Sequence, residues 1–246
     1  VKALNKNKLF LLIGFLSLLS FGFISFKPDQ NAVNLKILSY TVDVKTQDLK
    51  FYWKNDSAKP IKSILNLKKW LEAKHKTLVF AMNGGMYRQD NSPLGLYIEE
   101  NKTLARLNTF SADGNFYLKP NGVLYITANK HAVICKTGDF PKKQKIRFAT
   151  QSGPMLVVDG EIHSAFKQGS DNLNVRNGAG ILPDGKIIFA MSKEPINFYD
   201  FAKYFKDLGC VNALYLDGFV SMTYLPEKNW IQTDGNFGVI IAVTAP

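Results

Sequence analysis

An aspartate followed by a glycine, Asp217-Gly218, closes a run of strand-forming residues, Ala213, Leu214, Tyr215 and Leu216. A buried strand that ends this way sets a carboxylate at the edge of a sheet, where the backbone turns sharply and a ligand can come close. Asp-Gly is also an ordinary hairpin turn, but a bare turn needs none of the aromatic and hydroxyl groups that follow: Phe219, Ser221, Thr223 and Tyr224. Three more polar, glycine-bearing segments come after apolar strands. They are Asn83-Gly84-Gly85-Met86-Tyr87, Thr150-Gln151-Ser152-Gly153-Pro154 and Arg176-Asn177-Gly178-Ala179-Gly180. Glycines at strand ends allow close approach and leave backbone N–H groups free for anions. Arg176 suits a phosphate, which its planar fork can hold with two hydrogen bonds. Loops favour Gly, Asn and Ser in any case, so the recurrence of the pattern carries the inference.

Ser192-Lys193-Glu194-Pro195 follows another apolar strand and offers a second acid. With Asp217 it would make a general acid/base pair; the competing reading has Glu194 capping or facing solvent. His75 and His163 lack partners at metal-binding spacing and read as solvated or hydrogen-bonded, although His163 follows the Ser152 loop and could line a cleft. The chain has no Gly-x-Ser-x-Gly elbow, Walker loop, dinucleotide fingerprint or zinc signature. No cofactor is expected. Exposed Asp and Asn side chains leave a divalent metal open, but no ligand spacing supports naming one.

The elements that must position these groups follow from periodicity. Leu35 to Val44 and Leu49 to Trp53 alternate as strands and predict a hairpin around Thr46-Gln47-Asp48. Ile61 to Lys74 has its apolar residues on one helical face, and Leu78 to Met82 reads as a buried strand leading into Asn83. Short strands follow at Leu94 to Ile98, Leu104 to Leu107, Phe116 to Leu118, Val123 to Ile126, Ala132 to Cys135, Phe148 to Gln151 and Met155 to Val158. Ala179 to Leu182 and Ile187 to Ala190 form a hairpin around Pro183-Asp184-Gly185. Phe198 to Leu208 is a second helix, with Asn197 as N-cap and Gly209 closing it. The strand ending in Asp217 comes next, and Val239 to Val243 is the last. Many strands, two sizeable helices and no βαβ alternation predict one α+β domain with a largely antiparallel or mixed sheet core.

With 246 residues, 46% hydrophobic and 21% charged, the chain is long enough for one domain with a substantial core. Its formal charge of +11 comes mostly from dispersed lysines, without a block resembling a nucleic-acid arm. That balance suits anionic envelope polymers or phosphate-bearing substrates as well as general solubility, and no nucleic-acid partner is expected. Lys2, Lys6 and Lys8 precede the apolar run Leu9 to Phe26, which predicts an export signal. The run is just long enough to span a bilayer. With only small residues at Ser20 and Gly22 to offer a cleavage site, an uncleaved anchor is favoured over a cleaved signal. Residues 1–26 are therefore expected to be a signal or anchor, 27–34 a linker and 35–246 the outward-facing domain, in the periplasm, at the cell surface or secreted. Cys135 and Cys210 read either as a disulfide or as buried thiols.

AMNGGMY, TQSGPMLVVDG, VRNGAG, FAMSKEPINFYDFAKYFKDLGC and ALYLDGFVSM, in this order and spacing, resemble the phosphodiester glycosidase domain family, which includes the lysosomal uncovering enzyme and many bacterial envelope proteins. The resemblance runs from about Leu78 to Val243 and is nearest a compact bacterial subgroup. It implies hydrolysis of a sugar joined through its anomeric carbon to a phosphodiester. It implicates Asn83, Gly84, Gly85, Ser152, Gly153, Pro154, Arg176, Gly180, Asp217 and Gly218, with Asn177, Ser192 and Ser221 completing the expected substrate-binding set. Arg176 would grip phosphate with backbone N–H groups near Gly84, Gly85 and Gly153, and Asp217 would be general base or sugar-hydroxyl ligand. Glu194 would be the second acid, and Asn83 and Ser152 would position substrate. Where better-known members continue the Asp-Gly with glycines and a serine pair, this chain has Phe219, Val220, Ser221 and Met222, so the sugar does not transfer. The alternative is a non-catalytic protein that binds an envelope glycopolymer or serves exopolysaccharide; a second rival is attack on phosphorus.

Overall fold

The computed structural model describes residues 36–141 and 143–246. The predicted signal or anchor and the linker lie outside the described residues. In chain order the strands are β1 (Ile37–Val42), β2 (Asp48–Tyr52), β3 (Thr77–Asn83), β4 (Tyr97–Glu99), β5 (Lys102–Ala105), β6 (Gly122–Thr127), β7 (Ala132–Lys136) and β8 (Ile146–Ser152). They continue as β9 (Met155–Val158), β10 (Glu161–Ile162), β11 (Asn177–Ile181), β12 (Ile187–Ser192), β13 (Ala213–Asp217), β14 (Thr223–Leu225), β15 (Trp230–Ile231) and β16 (Ile240–Ala245). Among the described residues two α-helices, α1 (Ile64–Glu72) and α2 (Phe198–Asp207), complete the frame.

The strands form three antiparallel sheets: β1-β12-β11-β13-β9-β10, β15-β14-β3-β16-β2 and β5-β4-β8-β6-β7. This is the expected α+β class. Period-two alternation explains the layers. On β12, Ile187, Phe189 and Met191 face a core shared by all three sheets, while Ile188 and Ala190 face α2. On β16, Ile241 and Val243 enter the shared core, while Ile240 and Ala242 meet Ile64, Leu67 and Leu71 of α1. Each helix therefore covers the outer face of one sheet. Phe201 and Phe205 of α2 are fully buried, each stabilising the fold by roughly 1.5–3 kcal/mol through removal from water.

Both helices start at side-chain caps. Asn197 accepts from the Asp200 N–H at 2.8 Å and donates back to the Asp200 carboxylate at 2.8 Å, and Gly209, at φ +80°, ends α2. At α1, Ser63 accepts from the Asn66 N–H, so the helix begins at Ile64 instead of Ile61. Lys62 is at φ +70° and cannot continue a helix backwards.

Two further expectations are corrected. β1 and β2 are not a hairpin, because β1 pairs with β12 and β2 with β16, in different sheets. Phe116 to Leu118, expected as a strand, instead falls on the 3-10 turn Asn115–Tyr117, which buries Phe116 and leaves its carbonyl to the Asn121 amide. The short strands β10, β14 and β15 had no periodic signal because two or three residues are too few to show one. Cys135 is half-buried and Cys210 buried, both as free thiols with pKa pushed up by burial, to about 11 and about 12.

Candidate active site

At one end of the shared core the last residues of β3, β8 and β13 meet the first residue of β11. Antiparallel register places Asn177 opposite Asp217, and the side chain of Asn177 joins two sheets from there. Its amide donates to the Asn83 backbone oxygen at 3.0 Å and to the Asn83 Oδ1 at 2.8 Å, while its own Oδ1 accepts from the Asp217 N–H at 2.8 Å. Asn83 Oδ1 also accepts from the Met222 N–H at 2.9 Å, which fixes the far side of the loop after Asp217. The third sheet is attached by hydroxyls. Ser152 donates to the Leu216 carbonyl at 2.7 Å, and Thr150 to the Gly84 carbonyl at 2.9 Å.

These partners are almost wholly buried, and one donor among them is unused. Asn83 is 0% exposed and its Nδ2 has no hydrogen-bond partner. An unsatisfied buried donor costs about 1–3 kcal/mol, a cost that a bound acceptor would remove. Asp217 itself is buried, and desolvation lifts its pKa to about 6. The amides of Gly218, Phe219 and Val220 favour the charged form, the Phe219 N–H at 3.2 Å from Oδ1, but they do not offset the burial. Ser221 closes the loop by donating to the Asp217 carbonyl at 2.6 Å. A carboxylate with a pKa near 6 is mostly ionised at neutral pH yet basic enough to take a proton, which is the requirement for a general base.

Other expected site residues are placed differently. Arg176 is 0% exposed. Its Nε donates to the Ile196 carbonyl at 2.7 Å, its Nη1 to the Tyr215 hydroxyl at 3.2 Å, and its Nη2 to the Asn172 carbonyl at 2.7 Å and side chain at 3.2 Å. The guanidinium also lies 3.6 Å from the Phe198 ring centroid. A fork occupied and covered in this way is closed to a phosphate, so Arg176 is corrected to a positioning residue. What it positions is Tyr215, whose hydroxyl leaves no room for a Cβ at Gly218; an added one would lie 1.3 Å away. Ser192 is buried and exchanges hydrogen bonds with the Arg176 backbone, accepting at 2.9 Å and donating at 2.8 Å.

Glu194 is half-exposed and ion-paired with Lys36; no acid pair with Asp217 is assembled. Gly180 sits at the opposite end of β11, where a Cβ would meet Cys210 and Phe205 at 2.7 Å, so it serves the packing of α2. Gly84, Gly85 and Gly153 are likewise required by protein neighbours: Ile241, Thr150 and Asn121 with the Phe116 carbonyl. His163 is buried against the Lys119 carbonyl at 3.0 Å and stacked on Phe166. Among the described residues no three His, Cys, Asp or Glu side chains gather to hold a metal.

Three contributors escaped the sequence reading although they lie in the quoted segments. Tyr87 is half-buried near the carboxylate, its phenol pKa raised by burial and by the charge of Asp217. Thr150 was placed in its glycine-bearing segment without a role of its own, and Tyr215 was read as a strand residue only. A hydroxyl next to a glycine-bearing loop was the available signal.

Comparison with known proteins identifies the family and the fold. The family model for Phosphodiester glycosidase matches residues 76–241. A protein of Escherichia coli (strain K12), "Uncharacterized protein YigE", is 36% identical over 192 residues, covering 78% of this chain and 75% of that protein. Two solved structures share the fold. The zebrafish N-acetylglucosamine-1-phosphodiester α-N-acetylglucosaminidase catalytic domain, auto-inhibited by its pro-peptide, superposes with a TM-score of 0.59 at 13% identity, covering 85% of this chain and 82% of that one. A chain from Burkholderia pseudomallei K96243, named as exported, gives 0.57 at 11% identity, with 84% and 73% covered.

Proposed function

Because this chain belongs to the phosphodiester glycosidase family, we propose that it hydrolyses a glycosyl phosphodiester at the Asp217 site. The observation that carries the reading is a buried carboxylate of pKa about 6, held where three sheets converge beside an unpartnered amide donor. Water attacks the anomeric carbon and gives its proton to Asp217, and the bond from that carbon to the phosphate oxygen breaks. The phosphomonoester leaves with the electron pair. Phosphate is already a competent leaving group, so a second acid is not required, consistent with Glu194 lying at the surface. Asn83 supplies its free amide hydrogen to a substrate oxygen, and Asn177, Ser152 and Ser221 hold Asp217 in place.

An outward-facing location in a bacterial envelope, with an envelope glycopolymer or glycosyl phosphate as substrate, is part of the same proposal. It is supported by the apolar leader in the sequence and the exported name of one structural neighbour. Among the described residues no helix is long and apolar enough to cross a membrane.

The full chain is to be assayed for sugar release from N-acetylglucosamine 1-phosphodiesters and other hexose 1-phosphodiesters, with Asp217→Asn alongside. Turnover reduced about a hundredfold or more in the folded variant is expected for a group acting in the transition state. Hydrolysis in oxygen-18 water should label the sugar. Label in the phosphate would move the attack to phosphorus, and saturable binding without turnover would leave a glycopolymer-binding protein.

A further inference from the structure

The loop after Asp217 is fixed at nearly every residue, yet it presents one large apolar group to solvent. Gly218 packs on Tyr215, Val220 and Met222 join the cluster around Tyr224 and Phe237, Ser221 bonds back to Asp217, and the Met222 N–H is held by Asn83. Phe219 alone is open to solvent, 96% exposed, while its backbone N–H is bonded to the Asp217 carboxylate. Single exposed apolar side chains are common and usually need no account. This one sits on a hydrogen-bonded loop two residues from the buried acid, with the half-buried ring of Tyr87 also near that acid.

Resting on the glycosyl phosphodiester reading, we propose that Phe219 is the platform on which the sugar ring of the substrate stacks. One face of a pyranose is lined with C–H groups of slight positive charge, and an aromatic face is negative. The two surfaces attract while both leave water. The backbone bond from Phe219 to Asp217 ties the platform to the acid, so a sugar resting on the ring has its anomeric carbon referred to the carboxylate. Phe219 thereby becomes a means of choosing the sugar, and the phosphate's substituent extends away from the ring.

The test is calorimetric titration of the full chain and of Phe219→Ala and Phe219→Trp with N-acetylglucosamine 1-phosphate and, separately, with inorganic phosphate. An exposed ring contributes little to the fold, so thermal midpoints should agree across the three proteins. Phe219→Ala is expected to weaken the sugar phosphate about tenfold and leave inorganic phosphate unchanged, with Phe219→Trp restoring the affinity. In the hydrolysis assay the same alanine variant should raise KM equally for methyl and octyl phosphodiesters. Unchanged sugar affinity, equal weakening of both ligands, or a KM effect that grows with the alkyl chain would each overturn the platform while leaving the hydrolytic reading intact. Failure of the wild-type chain to bind or hydrolyse any hexose 1-phosphate compound would remove both.

Discussion

Asn177 donates to the Oδ1 of Asn83 at 2.8 Å across a separation of 94 residues, and this contact fastens the sheet bearing Asp217 to the sheet bearing α1. Asn177→Ala deletes it together with the bonds to the Asn83 carbonyl and the Asp217 amide. Each buried group left alone costs about 1–3 kcal/mol, so a loss of several kcal/mol is expected in urea titrations. An unchanged midpoint would show that the sheets are held without this hinge.

Arg176 tests position against contact. Arg176→Lys keeps the charge but cannot reproduce bonds to Ile196, Tyr215 and Asn172 from one planar fork. The variant should lose about 3 kcal/mol or more of stability, with the affinity of the remaining folded protein for inorganic phosphate unaltered. A variant of normal stability and weakened phosphate affinity would return Arg176 to the substrate.

Glu194 should be expendable. Its ion pair with Lys36 is half-exposed, and such pairs contribute about 0–1 kcal/mol. Glu194→Gln is expected to leave kcat within about twofold and its pH profile unshifted. A lost limb in that profile would restore it as the second acid.

The pH dependence follows from Asp217. Its folded pKa, about 6, lies above the ordinary value of 3.8 because burial penalises the charge. The folded protein therefore prefers the protonated carboxyl. That preference stabilises it fully below about pH 4 and is lost as pH rises through about 6, a difference of roughly 3 kcal/mol. Asp217→Asn should accordingly melt higher than wild type at pH 8, the gain shrinking towards pH 4. Wild-type activity should rise through an apparent pKa near 6, because a base must be ionised. Melting differences independent of pH would contradict the burial argument.

Much of this molecule is legible in its sequence because periodicity reports burial directly. The strand into Asp217, the helix capped by Asn197 and the hairpin at Pro183-Asp184-Gly185 are local features, and they form where expected. Long-range pairing left no local trace: β1 and β2 are close in sequence, but their partners lie about 150 and 190 residues away. At the site, the residue types of Asn83, Asn177, Ser152 and Asp217 identified the place where they meet. The glycine loops and Arg176 misled for one reason. A glycine or an arginine answers equally well to a ligand or to a crowded protein neighbour, and only coordinates distinguish Ile241 against Gly84, or Tyr215 against Arg176, from an open cleft.

The convergence of three sheets on Asp217 also bears on how the chain matures. Asn83, Ser152, Asn177 and Asp217 come together only after distant strands have docked, a late event in any folding route dominated by non-local pairing. Until then the aspartate stays wet and acidic like any surface carboxylate. The raised basicity of Asp217 is thus a property of the finished assembly, and a fragment missing any one sheet should leave it an ordinary carboxylate however well its remaining strands pair.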